Sequence, residues 1–558
     1  MACFRPRWLL GAAIAALLLG SAALSVADET SASDKLRILY ANRFTFNDEK
    51  LPLITVEIAS GIRTAKISAK SGVVVRPDGE GGASVLADGT DAWLIHAEQT
   101  VPALILDWTV VDTLGPDDAA GIAAALAKWK ANGFEPKAFD IGSVFGVDGE
   151  VIDSRETRIA IDPVARGKGA ARAVEIAKKF SVATSVHQEL VRRPTGILVA
   201  ENHGTVVRNA SVLWFAPSRT DQTLTIADVP VGIGGSQLTS TKEDRRYWGS
   251  VYVTLGADGT LVVVNAVSED KLLAGIVPSE MFPEAPDSAL EAQAIAARTE
   301  LLQKIGRRNL TDPFLLCSTQ QCQVYAGAGQ EHPRTTRAVA KTRGIVLLRD
   351  GGGMVDVRYS ASCGGHSEDN DAIWDGQPDP SLRGRRDQPS ASKAANATRV
   401  TADNLEKFLA ESPDKSWCGQ PKLGKARFRW TQRVAVEDLM TRVGAEFPAI
   451  GRVTAIVPGK RGVSGRIGAL TLRGEKGNVE VTGDLRIRRL LGGLKSSLFA
   501  VDVEGPIARP TAFVFRGAGF GHGVGMCQMG AIGMADAGKT HTEILKHYYR
   551  GTHLKKLY

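Results

Sequence analysis

Lysine and arginine are scattered through this chain with no dense basic stripe, although the net charge is +7. That scatter, with no recognisable nucleic-acid motif, argues against DNA or RNA as a partner. Past the first two dozen residues no apolar run is long enough to cross a bilayer. Cysteine is sparse, at 6 residues in 558. Cys3 precedes the apolar N-terminal run and so is not placed as a lipid-anchored cysteine. The glycines from Gly517 to Gly530 are not followed by Lys-Ser/Thr, so they do not form a phosphate-binding loop, and their spacing does not suit a dinucleotide site. What remains is an ordinary globular composition, 44% hydrophobic and 23% charged, able to bury sizeable cores.

The first residues carry an address. Arg5 and Arg7 precede an apolar stretch from Trp8 to about Leu24, and Ser25-Val26-Ala27 offers small residues for cleavage before Asp28. This layout predicts a secretory signal peptide over 1–27 and an exported protein, in the periplasm, the cell wall or outside the cell. In such a compartment thiols oxidise. Cys317 and Cys322 sit close enough for a local disulfide or half of a metal site, which His332 and His366 would complete only if the fold brings them in; the disulfide ranks above zinc because export favours oxidation. Cys363 is expected to pair with Cys418 or to lie close to another thiol. Five mature cysteines leave one over, and Cys527 is expected to be free.

The expected fold class is α+β, with a break near residue 245. Residues 28–245 alternate β-rich runs, such as Leu36-Arg37-Ile38-Leu39-Tyr40 and Ile54-Thr55-Val56-Glu57-Ile58, with helical patterns near 117–132 and 170–180. Strand–helix–strand order predicts a mixed α/β region. It reads as a scaffold, with glycan binding as the alternative. Residues 246–558 carry the chemistry. Leu261-Val262-Val263-Val264-Asn265 reads as a strand. Ser288 with Glu291 fits a capping box opening a helix, whose apolar face is Leu290, Ala294, Ala297, Leu301 and Ile305, with Gly306 as its stop. Glu280 falls on the approach to that helix beside Met281, Phe282 and Pro283, where apolar neighbours would raise its pKa and let it hold a proton near neutrality. Glu284 and Asp287 read as turn residues.

Other constellations read as structural or as chance. Ser390-x-x-Lys393 lacks the partner motifs of an acyl-enzyme site. Cys527 with His522 lacks a third residue to orient a cysteine nucleophile. His541, Glu543 and His547 read as a solvated helix surface, and Arg383, Arg385 and Arg386 as a charge cluster on a mobile loop spanning about 375–400.

Several blocks carry a resemblance. Gly275-Ile276-Val277-Pro278-Ser279-Glu280-Met281, then Glu291-Ala292-Gln293-Ala294-Ile295-Ala296-Ala297-Arg298-Thr299, is similar to the signature of the stage II sporulation protein D family, the SpoIID/LytB domain. Cys322-Gln323-Val324-Tyr325, Ser360-Ala361-Ser362-Cys363-Gly364-Gly365-His366, Gly519 through Ala531, and Glu543 through Thr552 follow in the family's order. The resemblance implies a peptidoglycan lytic transglycosylase that leaves 1,6-anhydro-muramic ends, with Glu280 as catalytic acid. The alternatives are a non-catalytic enhancer of an N-acetylmuramoyl-alanine amidase and a glycan-binding scaffold. It also makes Arg298, His522 and Gln528 candidates for contact with the glycan, and it requires no cofactor. Ordinary glycosidases need two carboxylates. A transglycosylase uses the substrate's own C6 hydroxyl as nucleophile, so one residue acts as acid and then as base. Three departures stand out. Gln321 occupies a position where the family commonly has His, which weakens the zinc reading. Cys527 replaces a common Ser. Phe282-Pro283-Glu284 differs from the usual residues after the acid.

Overall fold

The computed structural model describes residues 39–558 apart from 41–44, 48–49, 78–82, 88–90, 148–149, 211, 232–240, 320–321, 323, 375 and 390–398. Of 45, 145–147, 150, 152, 231 and 423 it describes the backbone alone. The expected leader over 1–27, Cys3, Leu36 to Ile38, Gln321, Gln323 and Ser390 with Lys393 lie outside the described residues. Among those described, no helix is long and apolar enough to cross a membrane. The α+β class holds: strands and helices both abound.

The largest sheet contains β1 (Pro52–Ile62), β2 (Val73–Arg76), β3 (Val212–Pro217), β4 (Ser250–Leu255) and β5 (Leu261–Ser268), in the order β1-β5-β4-β3-β2. These pairings are all antiparallel, and Leu316–Cys317 adds to β1 in parallel. The sheet therefore draws strands from both sides of residue 245. β5 reads Leu-Val-Val-Val-Asn-Ala-Val-Ser and is buried nearly end to end, as a continuous β-branched run is when both faces are covered. Asn265, the polar residue within the run, donates to the carbonyls of Trp248 and Ser250 and accepts from Tyr325 Oη. That satisfies a side chain that would otherwise be stranded in the core.

Two further sheets are built mainly from residues before 245, beside a two-stranded ribbon of Val144–Val147 and Glu150–Asp153. A six-stranded one contains Trp93–Val101 at its middle. A four-stranded one carries α1 (Ala119–Ala131) and α2 (Gly169–Phe180), close to the expected ranges. Trp129 of α1, with Phe134 and Phe180, closes this smaller core by edge-to-face contacts.

Behind β5 runs α3 (Glu269–Glu280), a short turn, and α4 (Asp287–Lys304). Two details differ from expectation. Glu280 is the last residue of its own helix rather than part of an approach to the next. The Ser288–Glu291 capping box does not form, because α4 begins at Asp287 with Pro286 as its cap and no side-chain cap bond. Glu291 is instead taken by Lys341 Nζ (2.6 Å) and His541 Nδ1 (2.8 Å). α4 is buried on all faces rather than along one stripe, which marks a central helix. Its alanines let neighbours approach closely from every side.

Residues 425–518 form a satellite core built on Arg429–Ala435, Phe499–Glu504 and Ala512–Ala518, with a second three-stranded sheet at Val453–Pro458, Ala469–Gly474 and Gly477–Thr482. The chain then returns to α4 through α5 (Gln528–Asp536) and α6 (His541–Tyr548). α6 starts on a true capping box, Thr540 with Glu543. Its histidines are not the solvated surface that their spacing suggests. His541 meets buried Glu291 and His547 meets buried Asp387. The arginine cluster is likewise paired: Arg383 with Asp369 and Asp371, Arg386 with Glu411, and Arg385 donating to the His547 carbonyl.

Candidate functional site

Pro278 lies inside α3, and Met281 leaves it in an extended conformation. A proline removes one helical hydrogen bond and ends helices early. Glu280 thus sits where the helix stops, half-buried, at the junction of two cavities. One is a groove of about 740 Å3 lined by Glu280, Glu300, Arg358, Tyr359, Trp374 and His522 among others. The other is a smaller pocket of about 140 Å3 on Phe282, Arg427, Gln528 and Met529. A further cavity of about 450 Å3 shares Arg358 and Trp374 with the groove and extends it past Asn370, Asp356 and Arg349. The volume is that of a small-ligand site, and the extension gives it length.

No described side chain or backbone amide hydrogen-bonds the Glu280 carboxyl. Burial, and secondarily repulsion from the Glu300 carboxylate, raise its pKa from 4.5 to about 7, against a smaller opposing pull from Lys304. Desolvation disfavours the charged form. Glu280 is therefore an acid poised to hold or release a proton near neutrality. Glu300, one α4 turn before Lys304, is committed elsewhere: Lys304 Nζ donates to it (2.5 Å), and it also bonds Tyr359. Lys304 also binds the Cys322 carbonyl. The groove thus presents one unengaged acid beside two engaged carboxylates, Glu300 and Asp484, the latter bound by Arg488 and Ser497.

The other expected contacts divide. His522 lines the groove, with its ring 4.9 Å from that of Trp374. Its Nδ1 accepts from the Val524 amide (3.0 Å), which leaves the neutral ring's proton on Nε2. Burial and the guanidiniums of Arg466, Arg358 and Arg488 hold its pKa below the ordinary value, although Asp484 pulls the other way. Gln528 is buried. Its Nε2 donates to the Glu280 carbonyl (2.8 Å) and to Gln293 Oε1 (3.2 Å), so it fastens the end of α3 to α4 and α5. It acts on the acid through the backbone. Arg298 corrects the expectation of glycan contact. It is 0% exposed, ion-paired with Glu269 (2.6 Å), and its remaining donors go to the carbonyls of Thr342, Val339 and Ile345. A guanidinium on an all-buried helix must find its partners inside.

Cys317 and Cys322 are joined in a disulfide. Bridged sulfurs offer no thiolate, so this pair does not form half of a zinc site. His332 instead caps a helix by accepting from the Arg334 amide, and His366 bonds the Ser367 carbonyl. Cys363, Cys418 and Cys527 are unbridged and buried, with the Cys363 and Cys418 sulfurs 3.6 Å apart.

The glycine-rich block is a packing device beside the groove. Gly523 has φ +77, and a Cβ there would meet the Arg466 guanidinium. Gly525 has φ +69, and a Cβ there would meet the Arg358 carbonyl. Only glycine meets both demands. Arg358 in turn lies over Trp374, 5.3 Å from its ring centre.

Several site residues escaped the sequence reading. Glu300 and Lys304, four apart, look like a surface ion pair; the run Ala294-Ile295-Ala296-Ala297 and the pair Leu301-Leu302 in the same helix were the available sign that they are buried. Trp374, 41% exposed, and Phe520, 37% exposed, flank the groove with Arg486 and Arg488. They belong to distant segments, and no local pattern joins them.

Comparison with known proteins meets this geometry. Residues 257–348 match the stage II sporulation protein family, which spans α3, the turn, α4 and the disulfide. Stage II sporulation protein D of Bacillus amyloliquefaciens is 27% identical over 311 residues, covering 52% of this chain and 76% of that protein. The chain carries a SpoIID/LytB family domain. An amidase enhancer of Bacillus subtilis is 28% identical over 299 residues, covering 50% of this chain but 40% of the enhancer. An uncharacterised protein of Brachyspira hyodysenteriae is 28% identical over 313 residues, covering 55% of this chain and 71% of that protein. Residues 368–525 match a domain of unknown function, DUF8618. The groove is therefore shared: Glu280 and Glu300 come from the SpoIID match, whereas Trp374, Arg486, Arg488, Phe520 and His522 come from the DUF8618 match.

Proposed function

We propose that this SpoIID/LytB protein is an exported peptidoglycan lytic transglycosylase with Glu280 as its acid and base. The observation that carries the reading is a single unengaged carboxyl, with its pKa raised to about 7, at the junction of a long groove and a smaller pocket. Protonated Glu280 gives its proton to the glycosidic oxygen as the bond to C1 of the muramic sugar breaks. The resulting carboxylate takes the proton of that sugar's C6 hydroxyl, whose oxygen closes on C1. The products are a 1,6-anhydro end and a new 4-hydroxyl, and Glu280 is regenerated. The engagement of Glu300 by Lys304 and Tyr359, and of Asp484 by Arg488 and Ser497, supports a one-carboxyl route, because neither of these groove carboxylates is free to activate water. Trp374 and Phe520 offer ring faces to sugars, and Arg358, Arg486 and Arg488 offer donors to the muramic lactyl or stem carboxylates.

Mass spectrometry of muropeptides after incubation with purified protein tests it. Anhydro-ended fragments are expected from glycan alone. The match to an amidase enhancer favours one second reading, stimulation of a partner N-acetylmuramoyl-alanine amidase. A protein inactive on both intact and peptide-stripped glycan that accelerates an amidase would replace the first reading with the second. Export is tested by the mature N-terminus, expected near Asp28; an intact Met1 in the cytoplasmic fraction would refute it.

A further inference from the structure

Cys363, Asp387, Cys418 and Cys527 bring four ligand atoms within 4.8 Å of one another, all in the buried interior. Among the described residues this is the one such cluster of three or more. We propose that it is a structural zinc site that ties both ends of the DUF8618 segment to its interior.

The spacing of the Cys363, Cys418 and Asp387 ligand atoms fits a tetrahedral site. Zinc–sulfur bonds of about 2.3 Å place sulfurs about 3.8 Å apart at tetrahedral angles. The Cys363 and Cys418 sulfurs are 3.6 Å apart, and Cys363 Sγ is 3.4 Å from Asp387 Oδ2. The surroundings prepare each ligand. Asp387 Oδ1 is held by Tyr548 Oη (2.9 Å) and His547 Nε2 (3.3 Å), which turns Oδ2 toward the sulfurs. Cys527 caps α5, and its sulfur accepts from the amides of Cys363 (3.1 Å) and Gly530 (3.3 Å). Amide donors to sulfur and a second partner on the carboxylate are what hold metal ligands in place. Binding deprotonates the three thiols and releases their protons to solvent. Three thiolates with a carboxylate suit a divalent borderline ion. Copper(I) would prefer sulfur alone, and magnesium or calcium would prefer oxygen alone.

A disulfide explains less. Bonding Cys363 to Cys418 would leave the Cys527 sulfur and Asp387 Oδ2 beside that bridge with backbone amides as their partners and no account of why four ligand atoms converge. The sequence positions say what the ion does. Cys363 precedes and Cys527 follows residues 368–525, whereas Asp387 and Cys418 lie inside them. One ion would tie both junctions of the segment to two points within it. That would hold Trp374, Phe520 and His522 in register over Glu280.

The full mature chain, secreted by an export-competent host and purified without chelator, is expected to contain one zinc per molecule by elemental analysis. Cys363, Cys418 and Cys527 should resist alkylation in the native protein and react once it is denatured with chelator. Cobalt exchanged for zinc should give the thiolate charge-transfer and tetrahedral ligand-field bands, a readout that needs no variant. Replacing Cys317 and Cys322 together with Ala should leave the metal in place, whereas Cys418→Ser should release it and lower the melting temperature. Zinc-free protein, whether Cys363 and Cys418 are bridged or reduced, overturns the proposal. So does zinc that persists in Cys418→Ser or is lost with Cys317 and Cys322.

Discussion

Replacing Glu280 with Gln tests the environment of the acid and its chemistry together. Glutamine keeps the size and polarity of the side chain and removes the titrating proton. The rise from 4.5 to about 7 means that the folded chain binds this proton more tightly than the unfolded chain. Between those values the folded state holds more protons, so stability falls as pH rises. At about 1.4 kcal/mol per pH unit, the charged carboxylate lowers stability by roughly 3 kcal/mol above pH 7. Solvent reaching a half-buried carboxyl screens it, so this is an upper figure. Below about pH 4.5 the carboxyl is protonated in both states and the effect vanishes. Glu280→Gln should therefore match the native protein in urea denaturation near pH 4 and exceed it, by up to roughly 3 kcal/mol, near pH 8. Anhydro-product formation should fall by about 10²- to 10⁴-fold at all pH values, since a positioned acid–base group is lost. The native rate should decline as pH rises through about 7, when the acid has given up its proton. A stability difference that is the same at both pH values would refute the desolvated acid. Undiminished anhydro products from the variant would refute its catalytic role.

Trp374→Ala should leave the melting temperature within a degree or two while weakening glycan binding about three- to tenfold, the worth of one stacked ring face; isothermal titration with peptide-free strands measures it. Gly525→Ala should destabilise by more than about 2 kcal/mol, because φ is +69 and the new methyl meets the Arg358 carbonyl. Gly538→Ala, with φ +78 but open space, should lose about 1 kcal/mol; equal losses at the two sites in thermal denaturation would contradict the packing argument. Arg298→Met should destabilise by about 3–5 kcal/mol by leaving Glu269 buried and alone. Adding Glu269→Met should recover much of that loss, and a double variant no more stable than the single one would count against the pairing.

Local information was legible where a single segment sets the outcome. The β-branched run of β5, the 3.6-residue repeat of α4 and the proline turn after Glu280 are decided by neighbours within a few residues, and so is the five-residue reach of the Cys317–Cys322 disulfide. The apolar company of Glu280, adjacent in sequence, was enough to expect a raised pKa. Tertiary structure decided which charges are buried. Glu291 abandons a capping box for Lys341 and His541, partners 50 and 250 residues away. Arg298 looks free for substrate until α4 is seen enclosed on every side. The composition of the groove was also beyond sequence, since Trp374, Arg486 and His522 line one groove with Glu280 only because residues 368–525 fold back to it. Contacts of that span are set by the closing of the whole core, and nothing in the spacing of either segment encodes them.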